Sequence, residues 1–135
     1  MNDVEDIDRY LAMEREVYAG LVAQSDYSTD AFVGQDAGEL VVSWYAQHEA
    51  FDYERWLLGG VSIERGALAL DYGCGPGRMV RRLARTFARV DGVDISPEVL
   101  DVARRQCQHL SVQPRFLLTD GLGVPPEVVE AYDVA

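Results

Sequence analysis

The residues with the clearest capacity for chemistry are three glycines and three aspartates. Gly73, Gly75 and Gly77 fall in "LALDYGCGPGRMVRRLA" (68–84), directly after Asp71. Asp94 and Asp120 close two later segments, "VDGVD" (90–94) and "RFLLTD" (115–120). Glycine strips side chains from a turn, so a ligand can approach the main chain closely and the backbone can adopt positive φ. A helix beginning just after such a turn offers unpaired N–H groups to an anionic group. A carboxylate at a strand end can accept two hydrogen bonds from the vicinal hydroxyls of a ribose, and Asp120 is placed for an adenine edge to reach it or its neighbouring backbone. Three strand ends therefore point to one nucleoside-bearing ligand.

These residues need a scaffold that brings strand ends together, and the rhythm of the chain supplies one. "ALALD" (67–71) is a short apolar run of buried-strand type; the following segment places Met79, Val80, Leu83, Ala84 and Phe87 on one helical face. "VDGVD" reads as the next strand. Ser96 and Pro97 form an N-cap with proline at the first helical position, opening a helix to about Gln108 that buries Val99, Leu100, Ala103 and Cys107. A third strand covers 115–120, and "AYDVA" (131–135) begins a fourth. Strands alternating with helices predict an α/β fold, a Rossmann-like parallel sheet with right-handed crossovers. In such a sheet ligands sit outside the carboxyl ends of the strands.

The first sixty residues differ in character. Val4, Ile7, Leu11, Val17, Tyr18, Leu21 and Val22 recur at helical steps, predicting an amphipathic helix with an acidic outer face. "QSDYSTDAFVGQDAG" (24–38) reads as a loop. A second helix is expected over 39–58, with Trp44, Tyr45, His48, Phe51 and Leu58 on its buried side and Gly59–Gly60 ending it. Residues 1–60 are thus expected to form a helical cap segment and 61–135 a cofactor-binding half-domain.

The dinucleotide fingerprint G-x-G-x-x-G requires glycine at 78, where this chain has Arg78. That spacing disfavours a nicotinamide-dependent oxidoreductase. Instead, "LALDYGCGPGRMVRRLA", "VDGVDISPEVLDVAR" and "FLLTDG" together resemble the class I S-adenosylmethionine-dependent methyltransferases, over about Leu68 to Gly121. The resemblance implies S-adenosylmethionine as cofactor and a small-molecule acceptor. It further implies that Asp71 and Tyr72 close the first strand and that Asp71 orients the glycine loop near the methionine amino group. Gly73, Cys74, Gly75 and Gly77 would line the methionine end. Asp94 would hold the ribose, Ile95 would pack on the adenine, and Asp120, Gly121 and Leu122 would border the adenine amino group. Tyr53 and Arg55, before the first strand, are candidates for the acceptor pocket and for the methionine carboxylate. The family's sheet has seven strands, so the chain is expected to be a fragment, or to have its sheet completed by a partner chain or a second copy. A non-catalytic cofactor-binding or assembly module is the alternative.

Composition excludes other classes. With 48% hydrophobic and 26% charged residues the 135-residue chain suits one folded domain. Its net charge is −11, with fourteen Asp/Glu against four Arg in residues 1–65. Such a surface repels nucleic acid and anionic membranes, so neither is an expected partner. Neither Cys74 and Cys107 nor His48 and His109 have metal-ligand spacing, and no metal is expected. Cys74 lacks an adjacent histidine, which favours a structural role. The arginines at 78, 81, 82, 85 and 89 read as a solvated helical face. No signal-like or membrane-spanning run is present, so a cytoplasmic location is expected.

Overall fold

The computed structural model describes residues 3–24, 53–128 and 132–135. Their elements are α1 (Asp3–Gln24), α2 (Tyr53–Leu58), β1 (Leu68–Tyr72), α3 (Arg78–Leu83), β2 (Arg89–Asp94), α4 (Pro97–Cys107) and β3 (Arg115–Leu118). The expected loop at 25–38 and most of the second helix, including Trp44, Tyr45, His48 and Phe51, lie outside the described residues.

β1, β2 and β3 form a parallel sheet in that order, with Ala69 opposite Val90 and Gly92 opposite Phe116. Both crossovers carry a helix, and right-handed connections put α3 and α4 on one face. The core sits between them: Ala69, Val90 and Phe116 from the strands meet Val80 and Leu83 of α3 and Leu100, Ala103 and Cys107 of α4. Gly92 makes this contact possible, because a Cβ there would fall 2.9 Å from Phe116 and 3.0 Å from the Cys74 Sγ.

Helix α4 begins as its sequence dictates. Ser96 caps it by accepting from the Val99 N–H at 3.3 Å, Pro97 occupies the first turn, and Val99, Leu100, Ala103 and Cys107 are buried. The first crossover helix is shorter than its apolar spacing predicts. After Leu83 the turns tighten, with the Arg85 and Thr86 N–H groups bonding to Arg82 and Leu83 carbonyls three residues back. Such i→i+3 bonds overwind the helix end, and Phe87 still reaches the core.

The expected fourth strand appears as a parallel bridge between Ala69 and Val134, with the Leu70 N–H donating to the Val134 carbonyl at 2.9 Å. Residues 132–135 therefore flank β1 on the edge that β2 leaves free. β2 and β3 step outward on one side of β1 and the chain returns on the other, a reversal of the kind that opens a ligand crevice at the strands' carboxyl ends.

At the other end of the sheet a polar lock was not legible in advance. Asp91 is fully buried in β2, yet its carboxylate accepts from Arg115 Nε at 2.8 Å and from the Tyr132 hydroxyl at 2.5 Å, with Arg89 3.6 Å away. Burial alone would push this carboxyl up, but the Arg115 and Tyr132 hydrogen bonds hold it below the usual range. One ionised group thus ties β2 to β3 and to the segment at 132.

Candidate functional site

At the carboxyl end of the sheet, β1 runs into the glycine turn. The Val93 carbonyl accepts from both the Gly73 and Cys74 N–H groups, at 2.7 and 2.9 Å, and so holds the turn against β2. Gly73, Gly75 and Gly77 have φ of 78°, 53° and 85°, a left-handed conformation that L side chains resist. A side chain at Gly73 would meet nothing within 4 Å, so its backbone faces open space.

Asp94 ends β2 beside this turn. One carboxylate oxygen accepts from the Gly75 N–H at 2.9 Å and the other from the Ser96 N–H at 3.0 Å. An ionised carboxylate has about four acceptor sites, so two remain for a ligand. The cavity these groups border encloses about 210 Å³ and is lined by Tyr72, Gly73, Gly75, Asp94, Ile95 and Thr119, with Glu14 and Tyr18 opposite. A larger groove of about 570 Å³, walled by α1 residues such as Tyr10 and Met13, contains none of the strand-end residues.

Tyr72, Gly73, Gly75, Asp94 and Ile95 thus meet at one cavity, whereas the other sequence candidates are placed differently. Asp71 lies behind the loop, with one carboxylate oxygen buried and unpartnered among the described residues. Desolvation and the nearby Asp94 push its carboxyl up to about 6, against the opposing pull of Arg78 and the Val80 N–H. Cys74 points into the core instead of lining the cavity, because the two bonds to Val93 turn its side chain beneath the loop. Burial, with Asp71 and Asp94 nearby, raises its thiol far above the range of a nucleophile. Gly77 also leaves the cavity wall: it packs against α4, where a Cβ would lie 3.2 Å from the Cys107 Sγ. The Asp120 carboxylate folds back to accept from the Leu122 N–H at 2.8 Å, and Leu122 is exposed. Arg55 is exposed and absent from the cavity lining, while the Tyr53 side chain is outside the described residues.

Thr119 takes the wall position expected of Asp120. Its N–H donates to the Asp94 carbonyl at 3.0 Å and its hydroxyl to the Gly123 carbonyl at 2.6 Å, while Tyr72 Oη donates to the same carbonyl at 2.9 Å. These bonds fix the loop after β3 against β1.

Glu14 and Tyr18 come from α1, four residues apart and hence on one helical face. Tyr18 packs on Val99 and Val102 of α4, and Arg15 donates to the Asp120 carbonyl at 2.9 Å. Burial, Glu14 and Asp94 all raise the Tyr18 hydroxyl, keeping it a neutral donor. The Tyr18 position was on the predicted apolar stripe, and its spacing from Glu14 was the available signal.

Gly121 is the seat on which α1 rests, and it yields a test. It has φ 89°, and a Cβ there would fall 2.7 Å from Leu11 Cδ2 and 3.2 Å from Ile95 Cγ2. Gly121→Ala is expected to cost about 1–3 kcal/mol in backbone strain and to lift α1 from the cavity. Hydrogen exchange should then quicken at residues 11–18 while the β2 amides stay protected.

Residues 69–135 match a family model described as a methyltransferase domain. The demethylmenaquinone methyltransferase of Tropheryma whipplei is 44% identical over 49 residues, covering 36% of this chain and 20% of that protein. The trans-aconitate 2-methyltransferase of Methylobacterium radiotolerans is 40% identical over 73 residues, 53% of this chain and 26% of its own length. Among solved structures, magnesium protoporphyrin IX methyltransferase from Synechocystis with bound S-adenosylhomocysteine superposes with a TM-score of 0.62 at 26% identity, over 92% of this chain and 56% of that one. The chain thus matches only about a fifth to a quarter of the length of these curated relatives. The switch-point crevice, the glycine turn bonded to Asp94 and these similarities converge: residues 69–135 match a methyltransferase domain, and their fold is similar to that of an S-adenosylhomocysteine-bound methyltransferase.

Proposed function

We propose that the chain supplies the S-adenosylmethionine-binding half of a methyltransferase acting on a small molecule. The observation that carries this reading is the placement of the Asp94 carboxylate, with spare acceptor capacity, beside the open backbone of Gly73 and Gly75. The unpartnered Asp71 oxygen behind the loop adds a demand for a donor that an ammonium group would meet. The residues present therefore fit a cationic nucleoside. At about 210 Å³ the cavity is smaller than the roughly 300–1,000 Å³ of ordinary ligand pockets, so such a ligand would fill it and project past its rim.

When bound, S-adenosylmethionine supplies a sulfonium-activated methyl group for in-line transfer. The chain's own contribution is proximity and orientation, worth up to about 7–11 kcal/mol where two reactants are well aligned. In this reading Asp94 grips the ribose hydroxyls, Ile95 packs against the base, and the Gly73–Gly75 backbone admits the amino-acid end. Glu14 and Tyr18 close the cavity from above, excluding water and adding negative charge opposite a cation.

Calorimetry with S-adenosylhomocysteine tests this directly. One site per chain is expected, with amide shifts concentrated at residues 73–75, 94–95 and 119. The absence of binding, or shifts confined elsewhere, would sink the reading.

A further inference from the structure

The wall opposite the glycine turn comes from α1, and its charge is of one sign. Leu11, Glu14 and Tyr18 are three and four residues apart, so they share one helical face. Leu11 rests over Gly121 and Tyr18 packs on Val99 and Val102, which turns the half-buried Glu14 between them to the cavity. Among the described residues the lining holds two carboxylates, Glu14 and Asp94, and no basic side chain. The hydrogen bonds that these carboxylates accept come from neutral groups: the Gly75 and Ser96 N–H groups for Asp94, and the hydroxyl of Tyr10, one turn earlier, for Glu14. Such bonds leave both negative charges in place, and a carboxylate with about four acceptor sites keeps room for more. Burial, then Glu14, then Asp94 raise the Tyr18 hydroxyl, so both carboxylates act on the space where it sits.

We infer that Glu14 is a charge-selecting residue: with Tyr18 it recognises the positive sulfur of S-adenosylmethionine and so distinguishes this reactant from S-adenosylhomocysteine, its neutral-sulfur product. The inference rests on the cofactor reading above. In that ligand the sulfur joins the ribose to the amino-acid chain. With the ribose at Asp94 and the amino-acid end at Gly73–Gly75, the sulfur belongs to the stretch of cavity that α1 faces. Base, ribose and amino acid are common to both molecules and fall to Ile95, Asp94, Asp71 and the loop backbone. Only the sulfur differs, by a methyl group and one positive charge. A carboxylate across a cavity of about 210 Å³ favours the charged form, because charges at a partly buried site are screened less than in open water. A tyrosine ring also attracts a cation through its quadrupole. Methyl transfer leaves the electron pair of the broken carbon–sulfur bond on sulfur, which becomes neutral. The attraction of the α1 wall is thus lost at the step that makes the product.

The test measures S-adenosylmethionine and S-adenosylhomocysteine binding to the whole chain by calorimetry. Glu14→Gln keeps the size of the side chain and one oxygen acceptor but not the charge. It is expected to weaken S-adenosylmethionine about tenfold, the scale of a partly desolvated charge contact together with a ring contact, and S-adenosylhomocysteine by less than about twofold. Glu14→Asp should recover part of the lost affinity. In the parent chain the carboxyl-carbon resonance of Glu14 should shift on adding S-adenosylmethionine and barely move with S-adenosylhomocysteine, a measurement that holds even where a variant misfolds. Equal losses for the two ligands would put Glu14 on a part they share, and unchanged binding of both would take it out of the site. Either result overturns the inference while the cofactor reading stands. Binding of neither ligand to the parent would overturn that reading, and the inference with it.

Discussion

Asp94→Ala is expected to lower the affinity for S-adenosylhomocysteine by about 10²–10³-fold, the largest single effect on ligand binding in the chain. Hydrogen bonds to a charged group contribute about 1.5–3 kcal/mol each, and two ribose hydroxyls facing one carboxylate would both lose their acceptor. The same substitution also removes the partner of the Gly75 and Ser96 N–H groups, at 2.9 and 3.0 Å. The fold should therefore weaken by about 2–3 kcal/mol, and the two losses must be separated. Asp94→Asn separates them in part, because the amide oxygen keeps one of the two backbone bonds while its NH2 group faces the other N–H and cannot accept from it. It should lose about 1–2 kcal/mol of stability, less than Asp94→Ala, and about 10–100-fold in affinity. If instead Asp94→Asn and Asp94→Ala lower stability together and neither alters ligand affinity, Asp94 only pins the loop, and the ribose assignment fails.

Much of the scaffold behind that test was legible in residue types. Short apolar runs at 67–71, 90–94 and 115–120 became β1, β2 and β3 within one or two residues, and Ser96–Pro97 marked the start of α4. These signals are local: a buried parallel strand is apolar on both faces, and a cap acts within one turn. Glycine at 73 and 75 was equally readable, because positive φ leaves few other residues possible. What the sequence concealed depends on the direction of side chains and on distant partners. Cys74 sits between two site glycines but turns inward, since the Val93 carbonyl takes both adjacent N–H groups. Asp91 looks like a charge misplaced in a strand until Arg115 and Tyr132 are brought to it by pairing across 24 and 41 positions. Glu14 and Tyr18 reach the cavity only because Gly121 and Ile95 leave a seat for Leu11. Periodicity assigned α1 a buried face without naming what it would cover.

Asp71→Asn is expected to stabilise the unliganded chain at neutral pH while weakening ligand binding. The carboxyl is pushed up to about 6 from 3.8, chiefly by desolvation and then by Asp94. Below about pH 4 it is neutral in both folded and unfolded chains. As pH rises the unfolded chain ionises first, while the folded chain keeps its proton to about 6, so stability is lost across that interval and stays low above it. At ~1.4 kcal/mol per pH unit the loss is about 3 kcal/mol, which asparagine avoids. Chemical denaturation between pH 4 and 8 should thus show a falling stability in the parent that flattens in Asp71→Asn. A bound ammonium group reverses the preference by favouring the carboxylate, so S-adenosylhomocysteine affinity in the parent should rise from pH 5 to 7 as Asp71 gives up its proton. In Asp71→Asn that rise should vanish and the affinity at pH 7 should fall about tenfold. A variant no more stable than the parent at pH 7, with the parent's pH profile of binding intact, would show that Asp71 neither carries the cost nor faces the cation. Both effects together would mean that the fold keeps a destabilising buried charge because the ligand's own charge offsets it.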